Sequence, residues 1–257
     1  MKRLNRITAA LALIFSASVA YAETIEDTIE RTLAFSAGSL LQVSNTNGDV
    51  EIVTWDKDEV QIEARKKVKA SSGDRARQAF EDLKINIDES STGVKIETEY
   101  PRNRSSWWNN VSSSVRYYVR VPQSADLEID TVNGKIVVEG VHGRIDLEST
   151  NGGIRVEEAG GSMTARTTNG GIDAELRSVE ANEDMAFRTT NGSITLSLPT
   201  DIQADVSART TNGSVQTDFP ITIQGTFRKN RLDGNINGGG ATIELKTTNG
   251  SIRIREL

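Results

Sequence analysis

Asp146, Glu148, Asp173 and Glu175 fall at outward positions of neighbouring repeats when the chain is read as alternating strands. Two opposed carboxylates at a suitable separation are the equipment of a glycosidase, and clustered acids also serve polysaccharide lyases. The plainer reading is a solvated acidic face flanked by Arg155 and Arg166. His142 is the sole histidine and cysteine is absent, so nitrogen- or sulfur-ligated zinc or iron is not expected, nor is any cofactor. The glycines do not form a phosphate-cradling G-x-x-x-x-G-K loop. A second column is basic. Three residues before successive Asn-Gly pairs stand Ser44, Asp130, Glu148, Arg166, Arg188, Arg209 and Lys246. Stacked like charges are unfavourable, so Arg166, Arg188, Arg209 and Lys246 form a candidate anion-binding stripe for an anionic polysaccharide or lipopolysaccharide. Long, solvated side chains that splay towards neighbouring acids are the competing account. A polar loop over 102–114 holds Arg102, Arg104, Trp107 and Trp108, a candidate contact loop for a sugar or an envelope protein, or a cap that tucks one Trp against the first repeat.

The elements that must position these columns are written as a repeat. Asn47, Asn133, Asn151, Asn169, Asn191, Asn212 and Asn249 each precede Gly inside one pattern, of which R-T-T-N-G-S-I is typical. From Asn133 onward the spacings are 18, 18, 22, 21 and 37 residues, and the last suggests one coil near 220–238 without the signature. The positions six and four before each Asn, and three after it, are apolar throughout, from Leu41, Val43 and Val50 to Ile243, Leu245 and Ile252. Apolar residues two apart, with polar ones between, describe a half-buried strand. The inward parity changes across Asn-Gly, so each repeat is strand, turn, strand.

An antiparallel meander with Asn-Gly hairpins and a parallel β-solenoid both satisfy that parity. In a meander, successive turns at one end lie about 10 Å apart, and identical Thr-Thr-Asn-Gly would go unexplained. In a solenoid each Asn sits about 4.8 Å from its copy, and its amide both donates and accepts along a ladder. The solenoid is therefore expected, with Asn133, Asn151, Asn169, Asn191, Asn212 and Asn249 as a structural ladder. If that ladder is buried, Asn191→Ala leaves its neighbours unpaired at a cost of about 1–3 kcal/mol. Gly after Asn is expected to supply backbone freedom at the corner. A Thr column one residue before Asn, broken by Val132, faces outward, and a small polar column two before it faces inward.

Residues 1–22 read as a secretory signal peptide: Lys2, Arg3 and Arg6, an apolar stretch over 7–19, then Ala20-Tyr21-Ala22 as cleavage site. The apolar stretch is too short to span a bilayer, and a periplasmic or secreted product is expected. A net charge of −6 speaks against nucleic acid. Residues 23–125 read as an N-terminal cap, continuous with solenoid repeats over 126–257. Within the cap, strands are expected at 39–44, 49–54, 59–65, 84–88, 94–99 and 115–121, and a helix at 74–83.

The segments L-L-Q-V-S-N-T-N-G-D-V-E-I-V-T-W and V-R-Y-Y-V-R-V-P-Q-S-A-D-L-E-I-D-T-V-N-G-K-I, followed by serial T-T-N-G-S-I units, carry a resemblance. The chain resembles the bacterial extracytoplasmic β-strand-repeat proteins of unknown function, often labelled "putative adhesins". The resemblance implies an all-β, right-handed parallel β-solenoid in the cell envelope, and supplies no site residues. The leading expectation is a non-catalytic binding or scaffold module; the alternative is a carbohydrate-active lyase or glycosidase on a β-helix.

Overall fold

The computed structural model describes residues 23–100, 111–179, 183–223 and 228–257. The signal-peptide segment and Arg102, Arg104, Trp107 and Trp108 lie outside those residues. β1 (Glu23–Ala34), β2 (Leu40–Asn47), β3 (Val50–Trp55) and β4 (Glu59–Ala70) lead into α1 (Gly73–Asp82). β5 (Lys84–Ser90), β6 (Gly93–Glu99) and β7 (Ser112–Pro122) complete the first part. The repeats then give strand pairs: β8 (Asp126–Asn133) with β9 (Ile136–Glu139), β10 (Ile145–Ser149) with β11 (Ile154–Ala159), and β12 (Met163–Asn169) with β13 (Ile172–Leu176). β14 (Met185–Asn191) with β15 (Ile194–Leu198) and β16 (Ala204–Asn212) with β17 (Val215–Thr217) follow. β18 (Ile221–Ile223) and β19 (Arg231–Ile236) precede the last pair, β20 (Ala241–Asn249) with β21 (Ile252–Glu256).

Among the described residues the strands form two sheets. The first runs β1-β4-β7-β3-β9-β11-β13-β15-β21-β17, the second β18-β19-β16-β20-β14-β12-β10-β8-β2-β6-β5. Each repeat gives its pre-Asn strand to the second sheet and its post-Gly strand to the first. Stacked repeats pair in parallel, in register: Ile145 with Met163, Ile154 with Ile172, Met185 with Ile243. Inward residues are sealed between the sheets; Leu127, Ile129, Ile136, Val138, Phe187 and Ile194 are all buried. At the two ends pairing is antiparallel, β1 with β4, β4 with β7, β5 with β6 and β16 with β19. α1 buries Ala76 and Ala79 beside the first strands.

One expectation is corrected. Among the described residues of 220–238 there is no signature-free coil: β18 and β19 pair antiparallel with each other, and β19 lies outside β16. The coils also do not stack in chain order. β20 pairs with both β14 and β16, and β21 with both β15 and β17. The chain skips a layer after β15, builds β16 and β17 one level further on, and returns to fill the gap with its last coil. The 37-residue spacing between Asn212 and Asn249 is this excursion.

The Asn column exists. Each Nδ2 donates to the next Oδ1 at 2.8 Å from Asn133 to Asn47, Asn151 to Asn133, Asn169 to Asn151, Asn191 to Asn169 and Asn249 to Asn191. Asn212 donates to Asn249 at 2.7 Å. The ladder lies on the surface, so its amides are not the buried groups anticipated. The buried polar column is two residues earlier. Thr167, Thr189, Thr247 and Thr210 each donate a hydroxyl to a glycine carbonyl of the neighbouring coil at 2.8 Å. At Gly152, Gly170 and Gly192 space excludes a side chain: a Cβ at Gly192 would stand 1.9 Å from the Gly170 carbonyl oxygen, and one at Gly152 1.8 Å from that of Gly134, while Gly48 and Gly250 also take the positive φ expected of glycine. The first turn is clasped by Tyr100, whose hydroxyl has the Asn45 Oδ1 at 2.9 Å and the Asn47 carbonyl at 2.7 Å as acceptors for its one proton. Burial pushes that phenol up to about 12, against the lowering effect of its backbone hydrogen bonds.

Candidate functional site

The outer face of the second sheet carries the basic column. Its strands alternate in and out, so the residue three before each Asn points to solvent while its neighbours on either side are buried. Register places Arg166 beside Arg188, Arg188 beside Lys246, and Lys246 beside Arg209. The layer skip matters here. In chain order Lys246 would lie beyond Arg209; the inserted last coil instead puts it between Arg188 and Arg209, and the four cations occupy four consecutive strands. Neighbouring strands lie about 4.8 Å apart, a close spacing for like charges.

Acids offset part of this charge. Arg166 pairs with Asp146 at 3.2 Å, and Arg188 pairs with Glu244. Lys246 has no ion-pair partner among the described residues; against the raising effect of burial, hydrogen bonds from Arg231 and Ser207 hold the Asp233 carboxyl low, and the charge of Arg209 adds to them. Beside the column runs a shallow groove of about 330 Å³, walled by Glu148, Arg166, Arg188 and Lys246 and floored by hydroxyls of Thr168, Thr190 and Thr248. Three or four cationic heads beside a row of hydroxyls can hold phosphate, sulfate or carboxylate groups spaced along a polymer.

The carboxylates singled out by sequence separate. Asp146 and Glu148 lie on β10 in the second sheet, Asp173 and Glu175 on β13 in the first. They form no common pair. The acid cluster that does exist joins Glu128 and Asp130 to Asp146 and Glu148, partners across β8 and β10. Burial raises the Asp130 pKa, and Glu148, Glu128 and Asp146 push the same way. Reading the columns five and three before Asn together would have found this block. His142 is exposed and meets Gln123 at 3.4 Å.

Residues 40–255 match the Toastrack DUF4097 family. The chain belongs to that family. Among solved structures it is similar to a "putative cell adhesion protein" from Clostridium sporogenes, at 13% identity and a TM-score of 0.50, covering 90% of this chain and all of that one. It is also similar to a "putative adhesin" from Bacteroides fragilis, at 11% identity and a TM-score of 0.40, covering 90% and 97%. A "putative lipid binding protein" from Parabacteroides distasonis matches at 12% identity and a TM-score of 0.31, with the same two coverages. No curated protein matches the chain. For this Toastrack chain the first of these likenesses shows the fold alone. Among the described residues no helix is long and apolar enough to cross a membrane, and no group of His, Cys, Asp and Glu is arranged to hold a metal.

Proposed function

We propose that this Toastrack protein is a non-catalytic, right-handed β-solenoid of the cell envelope that binds an anionic glycan or lipid along the outer face of its second sheet. Right-handed winding is the expected hand for a strand, crossover and parallel strand. Residues 1–22 serve export and are removed near Ala22, leaving a periplasmic or secreted product. The observation that supports binding is the register of Arg166, Arg188, Lys246 and Arg209 on four neighbouring strands, the first three of them lining one groove. The separation of Asp146 and Glu148 from Asp173 and Glu175 weighs against the lyase or glycosidase alternative, whose pair these were to be.

The whole-chain charge of −6 repels polyanions, so attraction must be local and sensitive to salt. The protein should be retained on heparin-like or lipopolysaccharide surfaces near 0.1 M salt, where the screening length is about 10 Å, and released by about 1 M, where it is about 3 Å. Arg188→Glu with Arg209→Glu should abolish retention while leaving the circular dichroism unchanged, because both side chains face outward. Wild-type retention in the double variant, or none in the wild type, would remove this reading.

A further inference from the structure

β1 is the edge of the first sheet, twelve residues long, free of proline, and largely exposed along its length. Long flat edges usually meet a partner or are blunted. Backbone parity fixes what this edge can meet. Phe35 donates its N–H to the Asp58 carbonyl at 3.1 Å, in register with the Ala34–Glu59 pair. Odd-numbered residues of β1 therefore bond towards β4, and even-numbered residues turn their N–H and C=O groups outward. Local contacts agree. The Thr28 N–H is occupied by the Asp27 carboxylate at 2.9 Å, and the Glu30 carbonyl accepts from the Arg31 guanidinium at 3.0 Å. Both outward groups borrow makeshift side-chain partners.

The structure assigns β1 as a self-association edge: it pairs antiparallel with β1 of a second copy, with Ile29 facing Ile29 on the twofold axis. Even residues must face even residues, which leaves few registers. In this one Thr28 bonds to Glu30 in both directions, supplying the two groups now patched by side chains. On the half-buried side, Ile25 faces Leu33, Ile29 faces itself, and Asp27 faces Arg31 twice. No like charges are opposed. A slip by one bonded pair puts Glu26 opposite Glu30, or Glu30 opposite itself. A slip by two puts Asp27 opposite Asp27, or Arg31 opposite Arg31. Like charges directly opposed are destabilising, so the register selects itself. The same pairing joins the half-exposed Ile25, Ile29 and Leu33 of both copies into one apolar strip, and makes the first sheet continuous through the dimer. This surface shares no residue with the basic stripe, so the two readings stand or fall separately.

Non-bonded antiparallel partners have Cα atoms about 4.5 Å apart, within disulfide reach. The chain has no cysteine, so Ile29→Cys introduces the sole thiol. Under mild oxidation it should give a covalent dimer, while Asp27→Cys, which faces position 31, should not. Thr28→Pro removes an outward N–H and leaves the β4 ladder intact, so it should be folded and monomeric by sedimentation. Asp27→Arg should weaken the dimer about tenfold, and adding Arg31→Asp should restore it. A protein that sediments as a monomer throughout the micromolar range overturns the assignment. So does a dimer that survives Thr28→Pro, or cross-linking no greater at position 29 than at position 27.

Discussion

Thr131 is the member of the inward hydroxyl column that breaks its rule. Its copies donate to the glycine carbonyl of the next coil, as Thr189 does to Gly170 at 2.8 Å. At the Thr131 level the corresponding Gly48 carbonyl already accepts from the Asn45 amide at 3.1 Å, and that amide also reaches the Val115 carbonyl at 2.9 Å. The buried Thr131 Oγ1 is left without a partner among the described residues. Burying an unpaired hydroxyl is costly, whereas removing one that has no bond to lose is not. Thr131→Val should thus be neutral or stabilising in urea unfolding, and Thr189→Val should cost about 1 kcal/mol. Equal effects at the two sites would show that the hydroxyl bonds carry no net stability.

At the scale of the element, the turn is a stacked object. Every glycine that follows a ladder Asn approaches a neighbouring carbonyl more closely than any Cβ tolerates, and the surface Asn ladder runs alongside. Gly192→Ala should destabilise by about 1–3 kcal/mol or more, because the obstacle is backbone and cannot swing aside, as thermal melting would measure. A loss below half of that would mean the coils can part. The strands themselves were legible in sequence because side-chain alternation has a fixed period: those expected at 94–99 and 115–121 correspond to β6 and β7, and the helix expected at 74–83 to α1. The Asn column was equally legible. β1 was not. Its apolar residues Ile25, Ile29 and Leu33 come every fourth position, with Asp27 and Arg31 on the same side, because an edge strand beyond the core need bury only half of one face. The ladder's exposure also escaped, since Asn sits where inward parity changes and neither phase of the pattern governs it.

For the whole molecule, the order of the coils was the illegible part, and the reason is the repeat itself. K-T-T-N-G-S-I stacks as well on R-T-T-N-G-S-I of β14 as on R-T-T-N-G-S-V of β16, so identical turns reward stacking without naming the neighbour. The candidate stripe was named residue by residue, but its continuity depended on that hidden order. Deleting residues 241–257 should therefore do more than shorten an end. It strips parallel partners from β14, β15, β16 and β17 together, and the variant should lose its cooperative urea transition and become protease-sensitive back to residue 185. Retention of a full-amplitude transition would mean that the outer strands hold without the inserted coil.

That insertion also sets a timetable. A ribosome delivers β16 and β17 before the coil on which they rest, so until β20 and β21 have been made a layer is missing from the interior of the stack, not from its tip. A chain interrupted late is left with a slot rather than a ragged end, and its unsatisfied strands advertise the fault to proteases. Closure is thus a late event: only a chain translated through β21 yields a closed stack.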